Sequence, residues 1–298
     1  MEYLSLKKEG HIGIITLDRP PVNALNYQAY SEIFEVFELV AQDPEIWCVI
    51  FQAKNKLFCA GNDLNELDET AQSGAEDTHE IPYGDMVEKG LTSVIKCKVP
   101  VITCVHSTAV GAGFCIATYS DIVLAAPEAK FGITEVTVGI IGGGPEASHS
   151  LPPKVVRYMA LTGNLLTAQQ AKDYNMVMDI VPQDQLLETA MKLAKRIISL
   201  PPFTVKCMKE SLNNIYPPAH IADLVAFDGD KTMQSLESED YKEALRAFLE
   251  KRFGASHPTF LDDKHARNCI EAMKAMLAGG RGERKGGHDG EVDGPADH

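Results

Sequence analysis

The chain has 298 residues, of which 45% are hydrophobic and 23% charged, and its formal net charge is -14 at pH 7. This is the composition of a globular protein that is long enough to bury a large core. The acidic balance argues against a nucleic-acid partner, because phosphate backbones bind basic surfaces. A small phosphorylated ligand is still allowed, since it needs only a local cation or a helix N-terminus.

The spacing of the cysteines and the length of the apolar segments indicate the cellular compartment. There are seven cysteines and none stands in a C-x-x-C spacing, so we expect neither a disulfide framework nor a metal site. No basic segment followed by an apolar one lies near Met1, and no apolar run approaches the roughly twenty residues of a membrane span. We therefore expect a cytoplasmic protein without a membrane partner.

Hydrophobic periodicity predicts alternating strands and helices over about the first 180 residues. A strand is expected within about four residues of Met1 and others at 12–17, 48–52, 101–105, 121–125 and 177–181. Helices are expected at 27–42, 84–96 and 112–118, after the glycine-rich loop 139–145, and after the capping box formed by Thr167 and Gln170. The fold class is therefore α/β.

From Gln185 onward the pattern is helical. The first of these helices has an apolar face and is broken at Pro201-Pro202; the face comprises Leu186, Leu187, Ala190, Leu193, Ala194 and Ile197. Another helix begins at Ser238 and stops at Gly254. We divide the chain into a core at 1–200, a C-terminal helical region at 201–278 and a disordered tail at 279–298, which holds seven glycines in twenty residues.

Two glycine motifs, Phe58–Leu64 and Val110–Cys115, each follow a strand-like run. Small residues at such points let the backbone come close to a partner, and we interpret the pair as two N–H donors that converge on one oxygen, an oxyanion hole. Two tight turns are the alternative for either motif alone. A dinucleotide-binding loop fits poorly, because the second motif lacks the third small residue of G-x-G-x-x-G.

With the flanking segment Pro100–Val105, these motifs resemble those of the crotonase family, also called the enoyl-CoA hydratase/isomerase family, and the likeness runs from about residue 3 to 254. The resemblance implies a crotonase-like spiral of β-β-α units, followed by C-terminal helices that cover the site and join subunits. It also implies that the N–H groups of Asn62 and Ala112 form the oxyanion hole.

The resemblance further implies coenzyme A as part of a thioester substrate, with no permanently bound cofactor. The positions near CoA match Ala60, Asp63, Leu64, Asn65 and Lys251 of this chain. Lys54 and Lys56 are further candidates for facing its phosphates, and residues 68–82 form a mobile loop beside the site. A homotrimer or dimer of trimers is implied, with the C-terminal helical region building the interface.

Hydratases of the family share proton transfer between two carboxylates. The position of the first is occupied here by Cys115, whereas the second is retained as Glu135. Apolar sequence neighbours favour a raised pKa at Glu135, which suits an acid/base group. We interpret Cys115 as a small buried residue that fills the space of the lost carboxylate, because no cation is near in sequence to activate a thiolate.

The glycine-rich loop carries three further candidates. Gly143 matches the family glycine beside the catalytic water of hydratases. Glu146 and His149 depart from the usual small and polar-basic residues of that loop. Glu146 and His149 could supply a second acid or simply cap a helix, and we favour the cap.

These residues leave three functional hypotheses. The first is an acyl-CoA enzyme that forms an enolate with Glu135 as the sole acid/base, and double-bond isomerisation is its simplest reaction. The second is a hydratase or lyase that uses the same glutamate and a bound water. The third is a catalytically silent acyl-CoA-binding subunit.

Overall fold

The computed structural model describes residues 1–66, 79–215 and 218–249. Most of the predicted loop at 68–82, the Gly254 helix stop, Lys251 and the tail at 279–298 lie outside the described residues.

A six-stranded sheet forms the centre of the molecule. Together with a smaller sheet, it contains the strands β1 (Leu4–Glu9), β2 (Ile12–Leu17), β3 (Cys48–Ala53), β4 (Val101–Val105), β5 (Ala109–Val110), β6 (Ile122–Ala125), β7 (Lys130–Gly132), β8 (Leu166–Thr167) and β9 (Asp179–Ile180). The main sheet has the order β1-β2-β3-β4-β6-β9, in which β1 and β2 are antiparallel and all other neighbours are parallel. A second sheet has the order β5-β7-β8.

Ten helices were assigned within the described residues. They are α1 (Tyr27–Gln42), α2 (Tyr83–Lys96), α3 (Ala112–Tyr119), α4 (Gly144–Ser148), α5 (Pro153–Thr162), α6 (Ala168–Asp173), α7 (Leu186–Ile198), α8 (Pro202–Asn213), α9 (Pro218–Leu236) and α10 (Glu239–Leu249). Single 3₁₀ turns lie at Glu135–Val138 and Gln183–Gln185. In this part of the chain, no helix is long and apolar enough to cross a membrane.

The main sheet is buried on both faces, and the two-residue period of the strands decides which side chain enters which core. Ile15, Val49 and Phe51 pack in the larger core with α1 and α2. Ile14 and Ile50 face the opposite way and pack in a second core against α7. The sheet therefore forms a rigid support whose strand ends can hold a site.

The C-terminal helices are fastened to this core at two places. The Nζ of Lys209 on α8 is buried and donates to Asp121 at 2.7 Å and to the carbonyl of Val99 at 3.0 Å. On α10, Tyr241 and Leu245 pack with Val138, Ile140 and the partly buried Leu64. The last contact brings α10 next to the 3₁₀ turn that begins at Glu135.

Most predicted elements are confirmed, some to the residue, including the helix at 27–42, the strand at 101–105 and the capping box. The last strand is shorter than predicted, and β5, β7, β8 and α5 were not predicted. Leu187 is a correction: its side chain is 38% exposed, whereas Leu186, Ala190 and Ala194 are buried. The apolar face of α7 is thus narrower than the sequence pattern indicated.

Candidate active site

The two glycine motifs meet in the fold. Cys59 and Ala109 form a parallel bridge, in which Val110 N–H donates to the carbonyl of Cys59 at 3.1 Å and Cys59 N–H donates to that of Thr108 at 3.2 Å. Each motif leaves its strand at this junction. Two segments that are about fifty residues apart in sequence are therefore held side by side by backbone hydrogen bonds.

Glycine is required where the motifs touch. Gly61 has φ +88° and Gly111 has φ +53°, values that side chains disfavour. A Cβ added to Gly61 would lie 3.3 Å from the carbonyl oxygen of Val110, and one added to Gly111 would lie 3.2 Å from Gly61 Cα. The absence of these two side chains lets the backbones approach each other, and with them the amides that follow.

Those following amides belong to Asn62 and Ala112. Leu25 N–H donates to the Gly61 carbonyl at 2.7 Å and Asp63 N–H donates to the Leu25 carbonyl at 2.8 Å, so the N–H of Asn62 lies on the opposite edge of this segment. Ala112 is the first residue of α3. Neither amide donates to an oxygen of the described residues, which leaves both available to a ligand oxygen.

Glu135 lies against this junction. A Cβ added to Gly111 would be 3.1 Å from its Oε1, and one added to Gly143 would be 3.6 Å from the same atom. Its Oε2 is buried and has no hydrogen-bond partner among the described residues. Burial raises the pKa of Glu135 to about 8, opposed by backbone hydrogen bonds and supported by the charge of Glu146. The structure thus brings Asn62, Ala112, Glu135 and Gly143 close to one another.

Cys115 is buried, as expected for a residue that fills space. Burial raises the pKa of its thiol well above the usual value, and the charges of Glu146 and Glu135 raise it further. The thiol is therefore neutral at physiological pH and does not act as an activated nucleophile.

Glu146 makes a capping contact, because its carboxylate accepts a hydrogen bond from its own backbone N–H in the first turn of α4. It is in the first turn of α4, but the N-cap residue of that helix is Gly143, and the Glu146 carboxyl is buried at 5% exposure. Burial raises its pKa to about 7, opposed by a hydrogen bond from its own backbone and supported by the charge of Asp228. Its Oε2 finds no partner among the described residues. The carboxyl is therefore buried inside the protein, a position that is compatible with the alternative role of a second acid.

Two other residues of the site were not predicted. The hydroxyl of Tyr30, on the buried face of α1, donates to the side-chain oxygen of Asn62. Asp228 of α9 comes within 3.9 Å of the position of a Cβ added to Gly144, and burial raises the pKa of its carboxyl. The periodicity of α1 predicts that Tyr30 is buried, but nothing local indicates its partner. No sequence signal connects Asp228 to residues 144–146.

Four of the predicted CoA-binding positions, Ala60, Asp63, Leu64 and Asn65, lie in or directly after the first motif. The Asp63 carboxylate is held by Arg19 at 2.7 Å and accepts from Asn65 N–H at 3.2 Å. Ala60 N–H donates to the carbonyl of Val22 at 3.1 Å. The structure therefore assigns Asp63 a loop-fixing role through Arg19. Among the lysines, Lys54 is paired with Asp18 at 2.9 Å and Lys56 is exposed.

Two unpaired backbone donors beside a buried carboxyl are an arrangement that can stabilise negative charge on a substrate oxygen and move a proton. A family model described as enoyl-CoA hydratase/isomerase matches residues 7–256. The chain belongs to this family, the crotonase family, and it is an acyl-CoA enzyme of that family.

Individual relatives agree with this assignment. The chain is 30% identical over 255 residues to a probable mitochondrial enoyl-CoA hydratase of Dictyostelium discoideum, with 84% of this chain and 89% of the relative covered. It is 32% identical over 264 residues to carnitinyl-CoA dehydratase of Salmonella typhimurium, covering 84% and 97%.

Solved structures share the fold. An enoyl-CoA hydratase/isomerase of Pseudoalteromonas atlantica aligns with a TM-score of 0.75 at 24% identity, covering 84% of this chain and 97% of that chain. An enoyl-CoA hydratase/carnithine racemase of Magnetospirillum magneticum aligns with a TM-score of 0.67 at 28% identity, covering 84% and 94%. The α/β fold with a C-terminal helical region is thus the crotonase fold.

Proposed function

We propose that this enzyme forms the enolate of an acyl-CoA thioester. The N–H groups of Asn62 and Ala112 bind the thioester carbonyl oxygen, and Glu135 removes or returns a proton at C2. The observation that supports this proposal is the convergence of two free backbone donors and one buried carboxyl on Gly111. Each well-placed donor stabilises a developing oxyanion by roughly 3–4 kcal/mol.

Double-bond isomerisation is a reaction for which this arrangement needs only one carboxyl as acid and base. Ionised Glu135 takes a proton from C2 of a 3-enoyl thioester, and the electron pair moves to the thioester oxygen, where the two N–H groups hold it. The protonated carboxyl then delivers the proton to C4 while the double bond forms between C2 and C3. No water is consumed and Glu135 returns to its starting state.

Hydration of a 2-enoyl thioester, or its reverse, is the second candidate. The relatives named as enoyl-CoA hydratase and carnitinyl-CoA dehydratase favour it. So does the second buried carboxyl at Glu146, because hydration uses one group for water and one for the C2 proton.

The residues that bind CoA and the oligomeric state are inferred from the family resemblance. We propose that Ala60, Leu64, Asn65 and Lys251 contact the CoA moiety, and that the chain works as a homotrimer or dimer of trimers in the cytoplasm. CoA enters with the substrate and leaves with the product.

The proposal is tested by exchange of the C2 proton of a saturated acyl-CoA in deuterated buffer, followed by mass spectrometry. We expect exchange by the wild-type enzyme, and a rate at least 100-fold lower for Glu135→Gln, the usual scale of lost acid/base catalysis. Glu128→Gln, which removes an exposed carboxyl, is the matched control. Exchange at the wild-type rate in Glu135→Gln contradicts the assignment, and binding without exchange by the wild type supports a silent acyl-CoA-binding subunit.

A further inference from the structure

Helices α3 and α4 pack against each other, and Glu146 lies in the first turn of α4. The Ser150 hydroxyl, just after α4, donates to the carbonyl of Thr118 at 2.9 Å. The His149 ring lies 6.3 Å from that of Tyr119, edge to face. Burial is the main cause of the raised pKa of the Cys115 thiol and the charge of Glu146 is the next, so the Glu146 carboxyl lies close to that side chain. Glu146 is therefore beside the position from which the usual first carboxylate is missing.

The buried carboxyl of Glu146 lacks the contacts of a structural one. Glu32 is also buried, and its oxygens accept the backbone N–H groups of Glu2, Tyr3 and Leu4 at 2.7–2.9 Å. A hydrogen bond from the Gln28 amide and these three backbone bonds together lower the pKa of Glu32 despite its burial. Glu146 has only its own backbone as a donor, and its Oε2 has no partner among the described residues. Burying such a group costs stability, so packing alone does not account for it.

Glu146 and Glu135 flank the same turn of α3. Glu135 lies against Gly111 at the start of that helix, and Glu146 is close enough to Cys115, one turn later, for its charge to raise the pKa of the thiol further above its burial-raised value. The loop between them is short, since Gly143 contacts Glu135 and caps the helix that carries Glu146. The pKa of Glu135 is about 8 and that of Glu146 is about 7. Near neutral pH, Glu135 therefore keeps its proton while Glu146 can ionise. A neutral acid and a charged base side by side are what addition of water requires.

A cation site is the rival interpretation of Glu135, Glu146 and Asp228. It is disfavoured by position, because no group of three or more His, Cys, Asp or Glu side chains in the described segments is arranged to hold a metal ion.

We propose that Glu146 is the second acid/base group of this enzyme, and that it occupies from α4 the space left by the small side chain of Cys115. This inference rests on the proposed enolate chemistry. It specifies the reaction as hydration of 2-enoyl thioesters and its reverse, in addition to any isomerisation by Glu135 alone.

The proton balance assigns each carboxyl a task. Ionised Glu146 accepts a proton from water as the water oxygen forms a bond to C3. The C2–C3 π electrons move to the thioester oxygen, which Asn62 and Ala112 hold, and protonated Glu135 then gives its proton to C2 as the enolate collapses. Glu146 ends protonated and Glu135 ionised, and transfer of one proton between them restores the starting pair.

The test compares hydration with C2 exchange in the same protein. A panel of straight-chain and aromatic 2-enoyl-CoA thioesters is incubated in H₂¹⁸O and scored for ¹⁸O incorporation, and the matching saturated thioesters are scored for C2 deuterium exchange. For Glu146→Gln we expect hydration to fall at least 100-fold and exchange to stay within threefold of the wild type. Glu135→Gln loses both activities, and Glu128→Gln keeps both.

A second variant moves the carboxyl back to α3. The double variant Cys115→Glu with Glu146→Ala is expected to hydrate at least tenfold faster than Glu146→Gln. The carboxyl introduced at position 115 would face the same water. The inference is overturned if Glu146→Gln hydrates at the wild-type rate, or if the wild type exchanges C2 protons but hydrates no member of the panel. Absence of both exchange and hydration in the wild type instead overturns the proposed enolate chemistry.

Discussion

At the scale of single residues, the two buried carboxyls of the site lower the free energy of unfolding when they are ionised. A buried carboxylate loses its water, and Glu135 and Glu146 recover only backbone hydrogen bonds in exchange. The sequence indicated the raised pKa at Glu135, but for a partly different reason. Val136, one of its apolar sequence neighbours, is 44% exposed, whereas the glycine backbones at 111, 142 and 143 approach the carboxyl.

The cost of burying an ionised carboxylate predicts that the stability of the fold depends on pH. The pKa of Glu135 is about 8 in the folded protein and 4.5 for the free group, so the folded state binds the proton more tightly between these values. Stability supplied by that proton is complete below pH 4.5 and is lost as pH rises through 8. The neutral isostere Glu135→Gln is therefore expected to exceed the wild type in unfolding free energy at pH 9, by on the order of 5 kcal/mol, and to match it near pH 4.

Urea denaturation at pH 4, 7 and 9 measures this difference. Glu128→Gln serves as the control, because its carboxyl is exposed and its loss should leave the pH profile of the wild type unchanged. A Glu135→Gln variant that is less stable than the wild type at pH 9 contradicts the burial argument.

At the scale of elements, long periodic segments were predictable and short ones were not. Helix α1 carries its apolar residues over four turns, so its bounds follow from sequence. Strands β5 and β8 have two residues each, too few to show any period, and they form only because β7 lies between them. The same limit applies to the site. The oxyanion donors are local to their motifs, but the approach of Glu146 to Cys115 depends on the packing of α4 on α3.

Close packing of α2 on α1 gives a prediction at this scale. A Cβ added to Gly90 of α2 would lie 2.9 Å from the backbone oxygen of Tyr30, closer than real contacts allow. Gly90→Ala must therefore push α1 away, which we expect to cost about 1–3 kcal/mol of unfolding free energy. Because the Tyr30 hydroxyl bonds Asn62, the turnover number should also fall.

Gly84→Ala is the matched control on the same helix. Nothing lies within 4 Å of its added Cβ, so alanine should leave stability unchanged or raise it by about 0.5–1 kcal/mol through helix propensity. The comparison is made by urea denaturation and by acyl-CoA turnover. Equal effects of the two substitutions would contradict the packing argument.

At the scale of the whole molecule, the C-terminal helices α8 and α9 carry several large apolar side chains that are exposed. The largest such side chains on or just after α8, and on α9, are Phe203, Met208, Leu212, Ile215, Phe227 and Met233, between 55% and 79% exposed. Apolar side chains grouped in this way are typical of a protein interface. The family resemblance indicates that the partner is a further copy of the same chain.

We therefore expect a native mass of three or six times the 32.5 kDa of the chain, measured by sedimentation or light scattering. Replacing Phe203 and Leu212 together by serine should shift the mass toward that of the monomer, because two large apolar contacts per subunit are lost, each worth roughly 1.5–3 kcal/mol when buried. Leu39→Ser, at a side chain that is 46% exposed on α1, should leave the assembly intact. A wild-type monomer would mean that this surface serves another partner, and an unchanged mass in the double variant would mean that the subunits join through a different face.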